Sequence, residues 1–315
     1  MEVKVRKATL NDVKEIVEVH CSDVEKWYKW VGEHKVESNY EELSVEERWG
    51  HGGPWMSMET CSVHLNYILT HNQYPLVAEV NSKVVGELEL YIGEERSVLG
   101  KTAFIDILVV HKDFRRKGIG RTLIRKAIEI AKSENCKTVS VWPAKNAIRF
   151  YEKCGFKKLF SINKVIIDIE ELSGIGKRNE AKCVKKSFPQ NYDVLKNMIL
   201  VSPRIESSYT IWLKNKWAYA VEEAKAICDE GYIENLNVAY IIENIWRSRE
   251  EAKLTLWISN RENILRALKF IASSSLNMGF KKLTMFVENN LYESYVEKQV
   301  PCMIKDKEFL MAVNI

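Results

Sequence analysis

A strand, a short basic loop with two glycines and a long helix follow one another without interruption, and this succession constrains the fold most. The apolar, mostly β-branched run from Phe104 to Val110 predicts a buried strand. The loop reads His-Lys-Asp-Phe-Arg-Arg-Lys-Gly-Ile-Gly over residues 111–120, and a helical pattern runs from Arg121 to Glu134. The chain therefore contains an α/β segment in which a helix begins just beyond the end of a strand.

The chemistry of this loop favours an anionic ligand. The first backbone N–H groups of a helix have no partner inside it, and they lie at the positive end of the helix dipole. Gly118 and Gly120 allow a ligand to approach the main chain closely, while four cations add positive charge: Arg115, Arg116, Lys117 and Arg121. The pattern predicts a pyrophosphate site, although a plain loop remains the alternative for two glycines in a turn.

Alternation and helical periodicity predict the remaining elements of the first half. The predicted strands are 3–6, 74–80, 83–91, 138–142, 156–160 and 164–169, with 74–91 forming a hairpin through Asn81 and Ser82. The predicted helices are 12–21, 24–30, 58–70 and 146–154. Residues 49–55, Trp-Gly-His-Gly-Gly-Pro-Trp, are expected to form an aromatic-rich loop that lines a site.

The second half repeats this order of elements. Residues 170–183 are polar, contain glycine and lack periodicity, so we expect a linker at 171–183 between domains 1–170 and 184–315. Beyond it, strands are predicted at 184–187, 237–242, 245–248, 252–258 and 282–287, and helices at 192–200, 263–278 and 292–298. We interpret this as an internal duplication. The copied loop, 259–263, has no glycine and carries an acid, so we do not expect it to hold a pyrophosphate.

Composition limits the class of protein. The 315 residues are 46% hydrophobic and 29% charged, which is typical of a globular protein long enough for two domains. The net charge of +4 is spread evenly and argues against nucleic acid as a partner. Seven scattered cysteines without metal spacing predict free thiols and no metal site. A first strand in place of a signal peptide, and the lack of a long apolar run, predict a cytoplasmic protein without a membrane span.

Two motifs carry a resemblance to a known family. Arg115, Gly118 and Gly120 match the Arg/Gln-x-x-Gly-x-Gly/Ala loop, and the segment from Ala147 to Phe156 matches a helix ending in Tyr-Glu-Lys-x-Gly-Phe. With these motifs the chain resembles the GCN5-related N-acetyltransferase (GNAT) superfamily over residues 1 to about 170. The resemblance implies an α/β (α+β) fold with two GNAT-like domains, each a mixed central sheet flanked by helices. The second domain would be degenerate.

The resemblance also implies a cofactor site for acetyl-CoA as co-substrate, at one site per chain. Leu108 and Val110, on either side of Val109, would pair their backbone with the pantetheine arm. The N–H groups from Arg116 to Arg121, with Ile119 among them, would hold the pyrophosphate. Tyr151 would bond the sulfur and protonate the leaving thiolate, the alternative being a phenol that caps the core. Asn146 either contacts the cofactor or caps a helix.

An amine must lose its proton before it attacks a thioester, either in solution or to a base reached through water, and three carboxylates are candidates for that base. Asp106 lies in an apolar strand, where burial would raise its pKa; it either serves as base, faces an edge or pairs with a lysine. Glu87 and Glu89, on one face of the preceding strand, are the other candidates, although a solvated face is equally compatible with their spacing. An aromatic acceptor pocket is expected from tryptophans that also have ordinary core roles: Trp27, Trp30, Trp49, Trp55 and Trp142. His51, in the glycine-containing loop, could contact the substrate as well.

These features together predict an acetyl-CoA-dependent N-acetyltransferase in which a primary amine attacks directly, without a covalent acyl-enzyme. An enclosed aromatic pocket favours a small-molecule acceptor over a protein amino group. A regulator that binds acyl-CoA without catalysis is the competing hypothesis, and the existence of a homodimer is left open.

Overall fold

A computed structural model describes residues 2–32, 34–174, 183–202, 207–217, 221–245 and 248–315. Within these residues the strands are β1 Lys4–Lys7, β2 Trp27–Val31, β3 His34–Ser38, β4 Tyr74–Val80, β5 Lys83–Glu94, β6 Lys101–Val110, β7 Thr138–Val141, β8 Lys157–Asp168, β9 Lys185–Lys186, β10 Ile199–Val201, β11 Ile227–Ile233, β12 Val238–Asn244, β13 Glu251–Ile258, β14 Lys282–Glu288 and β15 Cys302–Asn314. The α-helices are α1 Val13–Cys21, α2 Val45–Trp49, α3 Met58–Thr70, α4 Ile119–Ser133, α5 Ile148–Lys153, α6 Ile169–Gly174, α7 Ser208–Trp217 and α8 Ile264–Asn277. A further helical segment, with a π-helical turn at Tyr292–Val296, occupies 289–299.

The first half is built on an antiparallel meander with one parallel crossover. Strands β1, β4, β5 and β6 pair antiparallel in the order β1-β4-β5-β6, and β7 joins β6 in parallel after helix α4. The β4–β5 turn has positive φ angles at both Asn81 and Ser82, the backbone that a tight hairpin needs. Apolar residues of α1 and α3 cover one face of this sheet, and those of α4 cover the other. The chain thereby places α4 and its glycine loop beside the end of β6.

The second half repeats this order, as the duplication predicts. Strands β11, β12 and β13 form an antiparallel meander, helix α8 crosses over, and β14 pairs with β13 in parallel. The helical segment at 289–299 and strand β15 then follow, in the positions that α5 and β8 take in the first half.

The last strands of the two halves are exchanged. Strand β15, at the end of the chain, lies between β7 and β8, and β8 in turn lies between β15 and β14. Each half thus contributes its last strand to the sheet of the other. The described strands, apart from the small hairpin of β2 and β3, form one continuous sheet of 13 strands.

Helix α7 extends the contact between the halves, because it packs on β5 of the first half. A Cβ atom added to Gly93 would lie 2.4 Å from Cβ of Tyr209, so glycine is needed for this approach. The hydroxyl of Tyr67 donates to the carbonyl of Leu213 at 3.2 Å. Glu95 accepts the N–H groups of Ser208 and Tyr209 at the start of α7, at 2.9 and 3.0 Å. Burial raises the pKa of Glu95 to about 7, against the opposing effect of these hydrogen bonds.

The predicted fold class is confirmed, and the differences lie in individual elements. Residues 24–30 are not a helix, since the aromatic run Trp27–Val31 pairs as a strand with β3 across the turn at Gly32. Residues 192–200 are not a helix either, because only a short 3-10 turn forms at Tyr192–Val194 before β10. Strand β12 pairs with β13, and residues 246–247 of the strand predicted at 245–248 lie outside the described residues. In place of the two strands predicted within 156–169, the structure has the single strand β8, Lys157–Asp168.

The domain boundary at residue 170 stays a prediction. Residues 171–174 of the expected linker belong to helix α6, and residues 175–182 lie outside the described part of the chain.

Candidate active site

Strands β6 and β7 part from each other beside the glycine loop. Their parallel pairing runs only from Thr102 opposite Thr138 to Ile105 opposite Val141, where β7 ends. Strand β6 continues to Val110 and stays paired with β5 on its other edge. The edge of β6 from residue 106 to residue 110 therefore faces a gap that is not filled by β7. An extended chain such as a pantetheine arm can add to an open strand edge of this kind.

The loop beyond β6 has the conformation that its glycines permit. Gly118 adopts φ 86° directly before α4, and no atom lies within 4 Å of the position that its Cβ would take. Arg115 donates from Nε to the carbonyl of Val110 at 2.9 Å and pairs with Asp23. Lys117 donates to the carbonyl of Asp113 at 2.9 Å, while Arg116 and Arg121 are exposed. The first N–H groups of α4, a helix of 15 residues, thus lie within a basic surface at the end of the gap.

Helix α5 packs against this loop. A Cβ on Gly120 would lie 3.3 Å from the Phe150 ring and 3.6 Å from Leu108. Tyr151, the next residue, is 6% exposed and packs with Phe156 in the core, and burial raises the pKa of its phenol. The phenol therefore stays protonated at neutral pH.

Two other predicted cofactor residues have less direct positions. Ile119 is 1% exposed, and its side chain packs in the core. Asn146 is exposed in the 3-10 turn Lys145–Ala147, and the residue before α5 is Ala147. The interpretation of Asn146 as the helix cap is therefore wrong.

Asp106 is the extra residue of a β-bulge. Glu89 pairs with Ile107 and Leu90 with Ile105, so the register between β5 and β6 skips Asp106. Its side chain is 2% exposed, and Oδ2 lies 2.6 Å from Nζ of Lys214 on helix α7. Of the alternatives that the sequence leaves open, the structure contains the pairing with a lysine, and this lysine comes from the second half.

Glu87 and Glu89 are buried at the centre of a polar cluster, at 1% and 0% exposure, so the alternative of a solvated face is wrong. Nε2 of His20 lies 2.5 Å from Oε2 of Glu87. Oε1 of Glu89 lies 2.8 Å from both Nε2 of His64 and Nε1 of Trp55, and the Tyr91 hydroxyl donates to its Oε2 at 3.2 Å. The Trp55 indole and the Tyr91 hydroxyl thus donate to the Glu89 carboxyl group, and His64 lies at hydrogen-bond distance from the same oxygen as Trp55.

The pKa values of Glu87 and His20, the first pair in this cluster, are both shifted. Burial, together with the adjacent charge of Glu89, raises the pKa of Glu87 well above its ordinary value. Burial also lowers the pKa of His20 to about 4. Both shifts favour the neutral pair, in which the Glu87 carboxyl group carries the proton and donates it to Nε2 of His20. A carboxyl group with a raised pKa beside a second carboxyl group two residues away is a common arrangement where proton transfer takes place.

His20 gives this cluster a measurable dependence on pH. Its pKa in the folded chain is about 4, against about 6.5 in an unfolded chain, so the unfolded chain binds the extra proton first as the pH falls. Stability from this group is therefore complete above about pH 6.5 and is lost towards pH 4, by roughly 3 kcal/mol.

We expect the advantage in unfolding free energy of the wild type over His20→Gln to shrink by about this amount between pH 7 and pH 4, measured by urea unfolding. The matched control is His71→Gln, which replaces an exposed histidine. Parallel stability curves for the wild type and His20→Gln would contradict the assignment.

The aromatic residues of the predicted pocket make their ring contacts in three groups. Trp55 belongs to the polar cluster, where its ring stacks on His20 at 5.1 Å between centroids. Trp27 packs on His51 at 4.8 Å, beside the half-buried Trp30 of the β2–β3 hairpin, and Nε2 of His51 bonds the backbone of Tyr28. Trp142 packs on Phe286 of the second half. The expectation of a single pocket formed by these residues stays a prediction.

Three residues of the site were not predicted. His20 lies on α1, while Lys214 and Trp217 lie on α7; the Trp217 ring is 5.3 Å from His64 and 5.9 Å from Trp49. His20 falls on the apolar face of α1, which marks it as buried but does not identify its partner. No signal in the sequence connects α7 with a site in the first half.

The corresponding gap in the second half is filled. Strands β13 and β14 pair only from Glu251 to Lys253, as β6 and β7 do over a short stretch. Strand β10 lies against β13 from Leu256 to Ile258, and Ser202 bridges to Phe286 of β14. In the second half, strand β10 thus occupies the position that β7 leaves unfilled beside β6 in the first half.

In the described part of the chain, no group of three or more His, Cys, Asp or Glu side chains is arranged to hold a metal ion. None of the helices in the same ranges combines the length and the apolar character that crossing a membrane requires.

Known proteins resemble the chain at two levels. The sequence profile described as Acetyltransferase (GNAT) family matches residues 36–156. An uncharacterized N-acetyltransferase of Methanocaldococcus jannaschii is 40% identical over 90 residues, which span 26% of this chain and 38% of that protein. A glucosamine 6-phosphate N-acetyltransferase of Schizosaccharomyces pombe is 32% identical over 77 residues, or 24% of this chain and 68% of that protein.

A solved structure extends the likeness to both halves. A tandem GNAT protein from the clavulanic acid biosynthesis pathway superimposes with a TM-score of 0.53 at 13% identity, covering 99% of this chain and 98% of that one. Because the identity is low, this likeness concerns the fold. With the profile match, the relative covered over two thirds of its length and the shared fold, the chain belongs to the acetyltransferase (GNAT) family.

Proposed function

We propose that the protein is an N-acetyltransferase that moves an acetyl group from acetyl-CoA to a primary amine by direct attack within a ternary complex. The observation that carries this proposal is the gap between β6 and β7, which opens at Ile105 and ends at the glycine loop and the start of α4. An extended thioester with a pyrophosphate at one end matches both the open strand edge and the anion-binding helix terminus.

The residues around the gap fit acetyl-CoA. The backbone of Leu108 and the N–H group of Val110 are proposed to pair with the pantetheine arm, since the Val110 carbonyl accepts from Arg115. The N–H groups from Arg116 to Arg121 are proposed to bind the pyrophosphate. Gly118 leaves open space beside the loop, and a side chain at Gly120 would approach Phe150 and Leu108. When bound, acetyl-CoA supplies an acetyl group activated as a thioester, with a thiolate as leaving group.

The residues of the chain supply the proton transfers. An acceptor amine is largely protonated at pH 7 and must lose a proton before it can attack. We assign Glu89 as the proton acceptor, because Trp55, His64 and Tyr91 hold its carboxyl group in place while the raised pKa of Glu87 favours the protonated form of that neighbour. Since Glu89 is buried, the proton reaches it through the His64 imidazole, which can take up one proton as it gives up another, or through a water. Tyr151, whose phenol remains protonated, is assigned to donate a proton to the departing sulfur.

A small molecule is the proposed acceptor class. The carboxylates of Glu89 and Asp106 favour the approach of a cationic amine, and the rings of Trp49, Trp55 and Trp217 form apolar and π surfaces around it. The Schizosaccharomyces pombe relative, named as acting on glucosamine 6-phosphate, supports an acceptor of this size. All seven cysteines are free, which supports a reducing compartment such as the cytoplasm.

An acceptor screen tests the proposal. Release of CoA from acetyl-CoA is measured over a panel of amino sugars, amino acids, polyamines, aromatic amines and a lysine-containing peptide. We expect turnover with at least one small amine. Turnover only with the peptide would reassign the enzyme to protein substrates. Binding of acetyl-CoA without turnover on any amine would contradict the enzyme and support a regulator that binds acyl-CoA.

Replacing the tyrosine tests its assignment. We expect Tyr151→Phe to lower kcat by about 100-fold, in the range for a lost general acid, while the Kd for acetyl-CoA changes little. Tyr295→Phe is a matched control, because Tyr295 lies in the corresponding helical segment of the second half, where β10 fills the gap. Equal kcat values for Tyr151→Phe and the wild type would reassign Tyr151 to the core alone.

A further inference from the structure

We infer that the second half is a working part of the first half's acceptor site, because Lys214 on helix α7 positions the carboxylate of Asp106. This inference rests on the proposed function, since it assigns a role within the acceptor side of that site. Lys214 is a positioning residue, and its effect on the reaction is exerted through Asp106.

The location of Asp106 makes its charge consequential. It follows Ile105, the last residue of β6 that pairs with β7, so it is the first residue of the strand edge that borders the gap. The bulge removes Asp106 from the cross-strand register, and its side chain is almost fully buried. A buried carboxylate at this point either binds a proton or needs a cation beside it.

Lys214 is that cation. Its Nζ lies 2.6 Å from Oδ2 of Asp106, and its own side chain is only 20% exposed. The ammonium group also lies 5.9 Å from the centroid of the Tyr91 ring, whose hydroxyl bonds Glu89. Lys214 thus lies between the bulge of β6 and the ring of Tyr91, the residue that bonds the carboxyl group assigned as proton acceptor.

Several contacts with the first half hold helix α7 in position. Gly93 admits the backbone of the helix at Tyr209, Glu95 holds its first N–H groups, and Tyr67 bonds the carbonyl of Leu213. One turn beyond Lys214, Trp217 packs on His64, the partner of Glu89. The helix therefore contacts both polar groups of the site, the bulge and the cluster.

The role of Lys214 predicts a specific pattern among variants. We expect Lys214→Met to lower kcat/KM for the acceptor at least about tenfold, while the Kd for acetyl-CoA stays within about threefold. Lys214→Arg keeps the charge and is expected to recover most of the loss. Without the cation the buried carboxylate binds a proton more readily, so the acid limb of the pH–rate profile of Lys214→Met moves up by about one unit or more.

The combined variant separates positioning from mere packing. If Lys214 acts through Asp106, then Lys214→Met with Asp106→Asn loses no more activity than the more impaired of the two single variants, because each single variant leaves one unpaired charge and the double variant leaves none. Lys216→Met on the same helix, which replaces a lysine bonded to Gln190, serves as the matched control and is expected to match the wild type.

Two results would overturn the inference. One is an unchanged kcat/KM and pH profile in Lys214→Met; the other is a combined loss equal to the product of the single losses. A wild-type protein that binds acetyl-CoA but acetylates no amine contradicts the proposed function itself, and the inference falls with it. Transfer by the wild type with an indifferent Lys214→Met contradicts the inference alone.

Discussion

Replacing both glycines of the loop by valine, Gly118→Val with Gly120→Val, is expected to abolish acetyl-CoA binding at concentrations that saturate the wild type. Gly118 has φ 86°, which a β-branched residue rarely adopts, and a side chain on Gly120 would approach Phe150 at 3.3 Å. Both changes displace the N–H groups proposed to hold the pyrophosphate. Hydrogen bonds to charged groups contribute about 1.5–3 kcal/mol each, so losing two weakens binding by about 100-fold or more. Isothermal titration calorimetry measures the change.

A glycine of the second half provides the matched control for backbone strain. Gly279 has φ 90° and, like Gly118, has no atom within 4 Å of the position of its Cβ. Gly279→Val therefore introduces similar strain away from the gap, and we expect it to lower stability without changing the Kd for acetyl-CoA. Wild-type affinity in the double glycine variant would contradict the assignment of the loop.

The same titration reports the number of sites. We expect one acetyl-CoA per chain, because β10 and the bridge from Ser202 occupy the gap between β13 and β14. The sequence predicts the same number from the loop at 259–263, which has no glycine. The structure adds a second physical reason, since a strand of the chain already pairs with the edge that a second pantetheine arm would need.

The features that sequence predicts best are local ones. The strand from Phe104 to Val110, the glycine loop and the following helix depend on neighbouring residues, and they form as predicted. The two-residue spacing of Glu87 and Glu89 predicts a common face of one strand, and both do lie in one polar cluster. Periodicity and turn chemistry act over a few residues, which is why these elements can be derived from the chain alone.

The features that sequence misses are contacts between distant residues. Lys214 reaches Asp106 from the other half of the chain, and His20 reaches Glu87 from a helix more than sixty residues earlier. The exchange of β8 and β15 is likewise invisible to periodicity, because each strand has the same alternation in either sheet. Which partner a buried polar residue finds is decided by tertiary packing, and one sequence without relatives carries no signal for it.

A second large effect is expected from removing the proposed proton acceptor, Glu89. We expect Glu89→Gln to lower kcat by about 10² to 10⁴, the range for removal of a general base. Glutamine keeps the shape of the side chain and one oxygen for Trp55 and His64, but it cannot accept a proton. Glu87→Gln is expected to have a much smaller effect at neutral pH, because the raised pKa of Glu87 favours its protonated form, which an amide resembles. Steady-state kinetics with the acceptor found in the screen, at saturating acetyl-CoA, measure both changes.

The controls decide whether the loss is chemical. Glu79→Gln removes a partly buried carboxylate from the neighbouring strand β4, where it pairs with Arg6, and is expected to lower stability while leaving kcat within about threefold. If Glu87→Gln lost more activity than Glu89→Gln, the two carboxyl groups would have the opposite roles, with Glu87 as the proton acceptor. If neither variant lost activity, the amine would lose its proton to solvent before binding. In that case the rate would rise with pH in step with the fraction of neutral amine, and the buried cluster would serve only to hold α1, α3 and Trp55 against β5.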